Sequence, residues 1–259
     1  MYFKPLLFLV AALLFSCNMQ PAIKKAPETI AAPLHTENPY NSIGEIPLPE
    51  GYNRVPVAAN SFAEWLRQVS LKKDKTVYKY DGKPKANQSA QFAILDVSVG
   101  NKDLQQCADA VMRLRAEYLF AQKKFNEIIF YDNNYAAYQF TPPYNRTNFM
   151  NYLERVFGMC GSASLSKQLN PVSDFKSIAP GNVIIRGGFP GHAVIVLDVA
   201  VNAAGKKIYL LAQSYMPAQD IHVLLNPADE ILSPWYKASD STTIFTPEYV
   251  FEQKELRQW

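Results

Sequence analysis

The sequence PGNVIIRGGFPGHAVIVLD, residues 180–198, contains two short apolar runs separated by a turn rich in glycine and proline. The runs, residues 183–185 and 193–197, have the length of buried β-strands, and the turn between them predicts a hairpin. His192 stands at the start of the second strand, directly after Gly191, where the missing side chain lets another group approach closely. The pattern predicts a histidine on a strand beside open space, where a partner side chain can reach it.

A third strand is predicted to follow this hairpin. Residues 208–212 are apolar, and we expect them to pair with the strand that carries His192. The third strand ends in Gln213, whose amide oxygen can orient an imidazole ring. Asp198 and Asp220 are alternative residues for that orienting role.

The clearest helical pattern in the chain opens near Asp103 and carries Cys107 in its first turn. Apolar residues recur at helical spacing from Cys107 onward, and Asp103 with Gln106 matches a capping pattern. The positive end of a helix stabilises a thiolate, which is the form of cysteine that attacks a carbonyl carbon. Cys107 is the predicted nucleophile, and a small buried side chain is the alternative interpretation.

Cys160 is the second candidate nucleophile. A helix capped by Thr147 or Asn148 is predicted to end just before Cys160, where the negative end of the dipole raises a thiol's pKa. Alternatively, Cys160 lies in a tight turn before a helix that begins near Ser162. The dipole argument ranks Cys107 first, and a structural disulfide between the two cysteines is a further possibility.

Other segments predict the surroundings of these residues. Residues 61–67 read as a short capped helix, and residues 76–80 with 92–99 read as a second hairpin. Residues 250–259 are expected to close the surface of the domain. His222 offers a second imidazole, but its apolar neighbours favour a hydrogen-bonded strand residue.

An aromatic segment, residues 130–152, has two interpretations. Its rings stand among asparagines and prolines, and they could line a groove that binds a polymer of sugars and peptides. The alternative is a long insertion that packs its own rings over the core.

The N-terminal residues indicate export. Lys4 precedes a short apolar run, and Leu-Phe-Ser-Cys at residues 14–17 resembles the lipobox of bacterial lipoproteins. Residues 1–17 then form a lipoprotein signal peptide, and Cys17 becomes the lipid-bearing N-terminus. The alternative is ordinary secretion, with Cys17 inside a signal peptide that is discarded. Residues 18–48, rich in proline, alanine, lysine and glutamate, predict a flexible tether. Because Asn18 is not an acidic retention signal, the periplasmic face of the outer membrane is the expected location.

Composition fits one globular domain over residues 49–259. The chain has 259 residues, of which 48% are hydrophobic and 19% are charged. Loss of Lys4 with the signal peptide lowers the formal net charge from +3 to +2, so a nucleic-acid partner is not expected.

Four short motifs carry a resemblance to known hydrolases: QQC at 105–107, PGNV at 180–183, GHAVIV at 191–196 and LLAQS at 210–214. Their order and spacing resemble the CHAP amidases and NlpC-type cell-wall peptidases, which are papain-like cysteine hydrolases that cut peptidoglycan. The resemblance implies an α+β domain with helices packed on an antiparallel sheet. It also implies roles for three residues, with Cys107 as nucleophile, His192 as base and Gln213 as orienting group.

By this resemblance the substrate is an amide bond of a peptidoglycan peptide. No metal or organic cofactor is needed, because the thiolate and the imidazole carry the chemistry. The backbone N–H of Cys107 and the side chain of Gln106 are suggested donors to the oxyanion.

The mature chain also resembles an uncharacterised family of bacterial lipoproteins, typical of Bacteroidetes, known as a domain of unknown function. DLQQCADAVMRLRAEY at 103–118 and QSYMPAQDIHVL at 213–224 are the most distinctive segments. This likeness supports a lipid anchor and implies no activity. Cys107 lacks the Asp-Cys-Ser-Gly setting of the NlpC-type enzymes, and glutamine is not their usual third residue. A catalytically inactive lipoprotein that binds muropeptide or a protein partner is therefore the alternative function.

Overall fold

The computed structural model describes residues 1–2, 37–239 and 241–259. The lipobox, Cys17 and most of the predicted tether lie outside the described residues. The sequence predicts that the tether extends to residue 48, but residues 37–48 belong to the folded domain. Ile43 and Ile46 are fully buried there and pack into the main core, so the domain begins before residue 49.

The described residues form four α-helices and thirteen β-strands, an α+β architecture. The helices are α1 (Phe62–Gln68), α2 (Cys107–Ala121), α3 (Arg146–Met159) and α4 (Ser162–Gln168). The strands are β1 (Tyr52–Arg54), β2 (Gln91–Ile94), β3 (Ile129–Tyr131), β4 (Ala137–Gln139), β5 (Asn170–Pro171), β6 (Val183–Arg186), β7 (His192–Asn202), β8 (Lys207–Gln213), β9 (His222–Leu224), β10 (Tyr236–Lys237), β11 (Thr243–Phe245), β12 (Val250–Glu252) and β13 (Leu256–Gln258). Within the described ranges, none of the helices combines the length and apolar character that crossing a membrane requires.

A nine-stranded antiparallel sheet forms the centre of the domain. Its main order is β2-β9-β8-β7-β6-β13-β5, with β1 also paired to β7 and β10 to β8. The predicted hairpin of β6 and β7 is confirmed, with Arg186 opposite His192. The predicted third strand is confirmed as β8, which pairs with β7 so that Ala212 lies opposite Ile195.

The strand β7 is buried on both faces of the sheet. Because successive side chains of a strand point to opposite faces, Ala193 and Ile195 join the core on the side of α2. Val194 and Val196 join a second core on the other face, together with Phe251. Full burial of an aliphatic side chain of this size contributes about 1.5–3 kcal/mol, so this strand is a stable base for the residue at its start.

The helix α2 begins at Cys107, later than the capping pattern at Asp103 suggests. Gln106 is the capping residue, and its backbone N–H donates to Asp109 Oδ2 at 2.9 Å. Cys107 is therefore the first helical residue. The short helix predicted from residue 61 is confirmed as α1, where the Ser61 hydroxyl accepts from the Glu64 backbone N–H at 3.2 Å.

The helix α3 begins at Arg146 because Asn145 caps it, so the predicted caps Thr147 and Asn148 lie inside the first turn. The Asn145 side chain accepts from the Asn148 backbone N–H at 2.9 Å. The helix ends at Met159, and Cys160 follows as the C-cap just before α4. The expected helix end at Cys160 is confirmed, but the alternative of a tight turn is wrong, because the backbone of Cys160 and Gly161 is extended before α4 begins at Ser162.

The predicted hairpin of residues 76–80 with 92–99 is wrong. The strand β2 pairs with β9, while residues 76–80 form only isolated bridges, such as that between Lys79 and Gln219. The local Asp-Gly turn signal is correct, since the Gly82 N–H donates to the Lys79 carbonyl at 2.9 Å. The strand expected to return from it instead forms an edge of the central sheet.

The C-terminal residues do more than close the surface, because β13 lies inside the central sheet between β6 and β5. Leu256 is fully buried there. In the aromatic segment Tyr135 and Tyr144 are exposed, but four rings follow the second interpretation: Phe130, Phe140, Phe149 and Tyr152 are each at most 1% exposed. These rings pack over the core, where they contribute to folding.

Candidate active site

His192 and Gln213 form a buried hydrogen bond where β7 begins and β8 ends. The strands are antiparallel neighbours, which brings the two side chains to the same end of the sheet. His192 Nε2 lies 2.8 Å from Gln213 Oε1. An amide oxygen only accepts, so His192 Nε2 carries the hydrogen, and Nδ1 has the lone pair that can accept a proton.

The amide of Gln213 is held in one orientation by two further contacts. Its Nε2 donates to Glu248 Oε2 at 2.8 Å and lies 3.4 Å from His222 Nε2. His222 Nδ1 donates to the Asp220 carbonyl at 2.9 Å, so His222 Nε2 is an acceptor. Because a carboxylate also only accepts, these contacts direct the amide oxygen of Gln213 toward His192.

Glu248 is itself anchored by hydrogen bonds. Lys85 Nζ donates to its Oε2, and Asn87 Nδ2 donates to its Oε1 at 3.0 Å. Burial opposes ionisation, but the hydrogen bond and charge of Lys85 prevail and lower the pKa of Glu248. The sequence did not reveal this role, because Lys85 and Glu248 lie in irregular segments 163 positions apart.

Aromatic rings enclose the imidazole of His192. The ring centroids of Tyr215, Tyr249 and Phe251 lie 4.8, 4.9 and 5.7 Å from that of His192. Burial in these surroundings lowers the pKa of His192 to about 4, although the hydrogen bond with Gln213 opposes the shift. The imidazole is neutral at pH 7 and can accept a proton there.

The thiol of Cys107 lies against the residue that follows His192. The backbone N–H groups of Cys107, Ala108 and Ala193 lie near this sulfur and lower its pKa. Burial and the charge of Asp109 outweigh them and raise the pKa to about 11. The expectation of a resting thiolate is therefore wrong, because desolvation exceeds the effect of the helix end.

Cys107 lines a cavity of about 280 Å³ next to the turn that precedes β7. Gly191 belongs to this turn, and a Cβ atom there would lie 2.4 Å from the Gly188 carbonyl oxygen. Ser162 Oγ of α4 would lie closer still, at 2.3 Å, so the predicted close approach at Gly191 is confirmed, with a side chain of α4 as well as the turn itself as its neighbour. Phe189, 98% exposed, and Met216, 54% exposed, form an apolar rim of the cavity.

Cys160 lines the same cavity but is less suited to attack. Burial and the charges of Asp132 and Asp109 raise the pKa of its thiol to about 12. Both Cys107 and Cys160 are free thiols, so the disulfide interpretation does not hold for this structure.

The two alternative orienting residues are engaged elsewhere. Asp198 accepts from Arg54 Nε and Arg67 Nε, each at 2.7 Å. Asp220 accepts from Lys72 Nζ at 2.8 Å. Each carboxylate is held by basic side chains, which leaves Gln213 as the residue bonded to His192.

Gln106 lies beside the first residue of α2 and lines the cavity. Its Nε2 donates to Asp103 Oδ1 at 3.1 Å, which uses one of its two hydrogens. The second hydrogen remains compatible with the suggested donor role. Across residues 37–239 and 241–259, no group of three or more His, Cys, Asp or Glu is arranged to hold a metal ion.

Comparison with known proteins identifies a family without an assigned activity. A family model described as domain of unknown function 4846 matches residues 44–142 and 131–258. No curated protein and no solved structure matches the chain significantly.

Proposed function

Since the chain belongs to the family described as domain of unknown function 4846, which specifies no activity, we propose from the site itself that it is a cysteine hydrolase. The proposed substrates are amide bonds of peptidoglycan peptides, and the proposed fold is papain-like, as in the CHAP and NlpC-type enzymes. The hydrogen bond of 2.8 Å between His192 Nε2 and Gln213 Oε1 carries the proposal. It leaves Nδ1 as a base. The thiol of Cys107 lies near the backbone N–H of Ala193, the next residue of the chain, although His192 is not among the described residues that line the cavity of Cys107.

In the proposed reaction, the Cys107 sulfur bonds to the carbonyl carbon of the scissile amide while its proton passes to His192 Nδ1. The carbonyl oxygen takes the negative charge, which the backbone N–H of Cys107 and the amide of Gln106 stabilise. The imidazolium returns the proton to the leaving nitrogen, and the C–N bond breaks to leave a thioester on Cys107. Water then attacks the thioester with His192 as base, which releases a carboxylic acid and restores the thiol.

Proton transfer is the demanding step because both groups rest in their neutral forms. The pKa values of about 11 for Cys107 and about 4 for His192 imply a cost of roughly 10 kcal/mol before the new ion pair attracts. A substrate carbonyl that accepts the sulfur during the transfer avoids a free thiolate. Gln213 holds the imidazolium through the same hydrogen bond, now charged and stronger.

The proposed location is the periplasmic face of the outer membrane, with the domain held by lipid on Cys17. The sequence around residues 14–17 supports this proposal, and peptidoglycan lies within reach of a tethered domain there. Replacing Cys17 with alanine is expected to abolish incorporation of radioactive palmitate. Retained label in Cys17→Ala would contradict the anchor.

Digestion of purified peptidoglycan tests the hydrolase. Mass spectrometry of the products should reveal new carboxyl and amino ends with the wild-type protein and none with Cys107→Ala. Cys160→Ala is the matched control, because it removes a second thiol from the same cavity and should leave cleavage intact. Cleavage that survives Cys107→Ala would contradict the assigned nucleophile.

A second candidate function is a catalytically inactive lipoprotein that binds muropeptide or a protein partner. The raised thiol pKa and lowered imidazole pKa favour it, because a resting ion pair is absent at Cys107 and His192. Calorimetric titration with purified muropeptides separates the two. Binding by wild type without any cleavage supports this candidate, whereas turnover supports the hydrolase.

A further inference from the structure

Asp109 carries a buried carboxylate oxygen without a partner. It is the third residue of α2, is 6% exposed and lines the cavity of Cys107. Its Oδ2 accepts from the Gln106 backbone N–H at 2.9 Å. Its Oδ1 has no hydrogen-bond partner among the described residues. Buried polar atoms are nearly always paired, so an unpaired one beside a cavity requires an explanation.

The charges around the cavity favour a cationic ligand. Asp103 and Asp109 both line it, whereas none of its described lining residues is lysine, arginine or histidine. Asp103 Oδ1 already accepts from Gln106 Nε2 at 3.1 Å and from the Ala218 backbone N–H at 2.7 Å. Oδ1 of Asp109, by contrast, is a buried carboxylate oxygen with no partner among the described residues.

We propose that Asp109 Oδ1 binds a protonated amino group of the substrate, so that the site selects amides with a free amine close to the scissile bond. The role in selecting an amide rests on the proposed hydrolase, but the binding of the amine does not. An ammonium group would donate the hydrogen bond that Oδ1 does not receive, and its positive charge would balance the negative charge of the carboxylate. The small volume of the cavity, about 280 Å³, admits a short amine-bearing chain near the Cys107 thiol.

The electrostatic surroundings of Asp109 agree with this role. Burial raises the pKa of Asp109 well above its ordinary value, although backbone N–H groups of the first turn oppose the shift. The carboxyl group therefore favours its neutral form without a ligand. A bound ammonium would restore the carboxylate, since an opposite charge stabilises the ionised form.

Thiol labelling tests the amine site without any need for hydrolysis. Two thiosulfonate reagents that form a mixed disulfide with Cys107 are compared, one with an ethylammonium group and one with a neutral methyl group. Each rate is divided by the rate for a free cysteine peptide, and mass spectrometry locates the label. In wild type, the corrected labelling rate should be about tenfold higher for the ammonium reagent than for the methyl reagent. In Asp109→Asn the two corrected rates should be about equal.

Asp103→Asn is the matched control, since it removes a carboxylate of the same cavity that is already hydrogen-bonded. Asp103→Asn should keep most of the ammonium preference, although it changes the net charge by the same amount as Asp109→Asn does. A preference that survives Asp109→Asn, or its absence in wild type, would overturn the proposal. Loss of the preference in both variants would also overturn it, because general electrostatic attraction would then explain the result.

A second measurement uses only the wild-type protein and so does not depend on the folding of a variant. Peptidoglycan peptides with free amines and the same peptides after N-acetylation are compared as substrates. Cleavage at least tenfold faster for the free amines supports the proposal. Equal cleavage overturns the selectivity while leaving the hydrolase intact. No cleavage, with an Asp109-dependent labelling preference, refutes the hydrolase and supports the amine site.

Discussion

Replacing Gln213 with methionine should impair the chemical step and leave substrate binding almost unchanged. Methionine keeps the length of the side chain and removes the 2.8 Å hydrogen bond to His192 Nε2. In the transition state this bond stabilises an imidazolium, and a buried hydrogen bond to a charged group contributes about 1.5–3 kcal/mol. The expected loss in kcat is therefore about 10- to 150-fold, with KM within about threefold.

The matched control is Gln91→Met. Gln91 is a buried glutamine of the same sheet, and its Nε2 donates to the Lys75 carbonyl at 3.0 Å, away from His192. The control should lose stability without losing kcat in the folded fraction. NMR titration of His192 supplies a second readout, since loss of the Gln213 hydrogen bond should lower the imidazole pKa further. Equal kcat for Gln213→Met and wild type would refute the orienting role.

Three other predictions follow from burial and charge. The rate of alkylation of Cys107 by iodoacetamide should rise about tenfold per pH unit from pH 7 to 10, because the pKa of its thiol is about 11. A rate that reaches a plateau near pH 8.5 would contradict the neutral thiol. Lowering the pH from 6.5 to 4 should destabilise the fold, because the folded pKa values of His192 and His222 are lowered to about 4. The unfolded chain therefore binds more protons than the folded chain in that window. Urea unfolding should show a loss of about 3 kcal/mol in the free energy of unfolding per histidine. Asp198→Asn should cost roughly 3–5 kcal/mol by the same assay because it leaves Arg54 and Arg67 beside a neutral residue, yet the NMR pKa of His192 should not move.

The central hairpin was predictable because its signals are local. The two apolar runs of β6 and β7, the turn of glycine and proline between them, and the helical spacing after Cys107 each lie within a short window of sequence. The pairing of β8 with β7 follows because neighbouring segments joined by a tight turn usually lie side by side. His192 and Gln213 meet as a consequence.

The sequence predictions that were wrong or missed involve residues whose partners are distant in sequence. β2 pairs with β9, more than 120 positions away, and no local pattern near Gln91 indicates that choice. Glu248 reaches Gln213 from a loop near the C-terminus for the same reason. The electrostatic prediction for Cys107 failed differently, because the helix end was foreseen while the depth of burial that reverses its effect depends on the whole fold.

The central claim is that Cys107 and His192 act as one catalytic unit, and a double-mutant cycle on purified peptidoglycan tests it most directly. The measured quantity is the rate at which new amino ends appear, for wild type, Cys107→Ala, His192→Ala and the double variant. Groups that act together give losses that do not add, so the double variant should be no slower than the slower single variant. Losses that multiply, or a wild-type rate equal to that of Cys107→Ala, would contradict the claim.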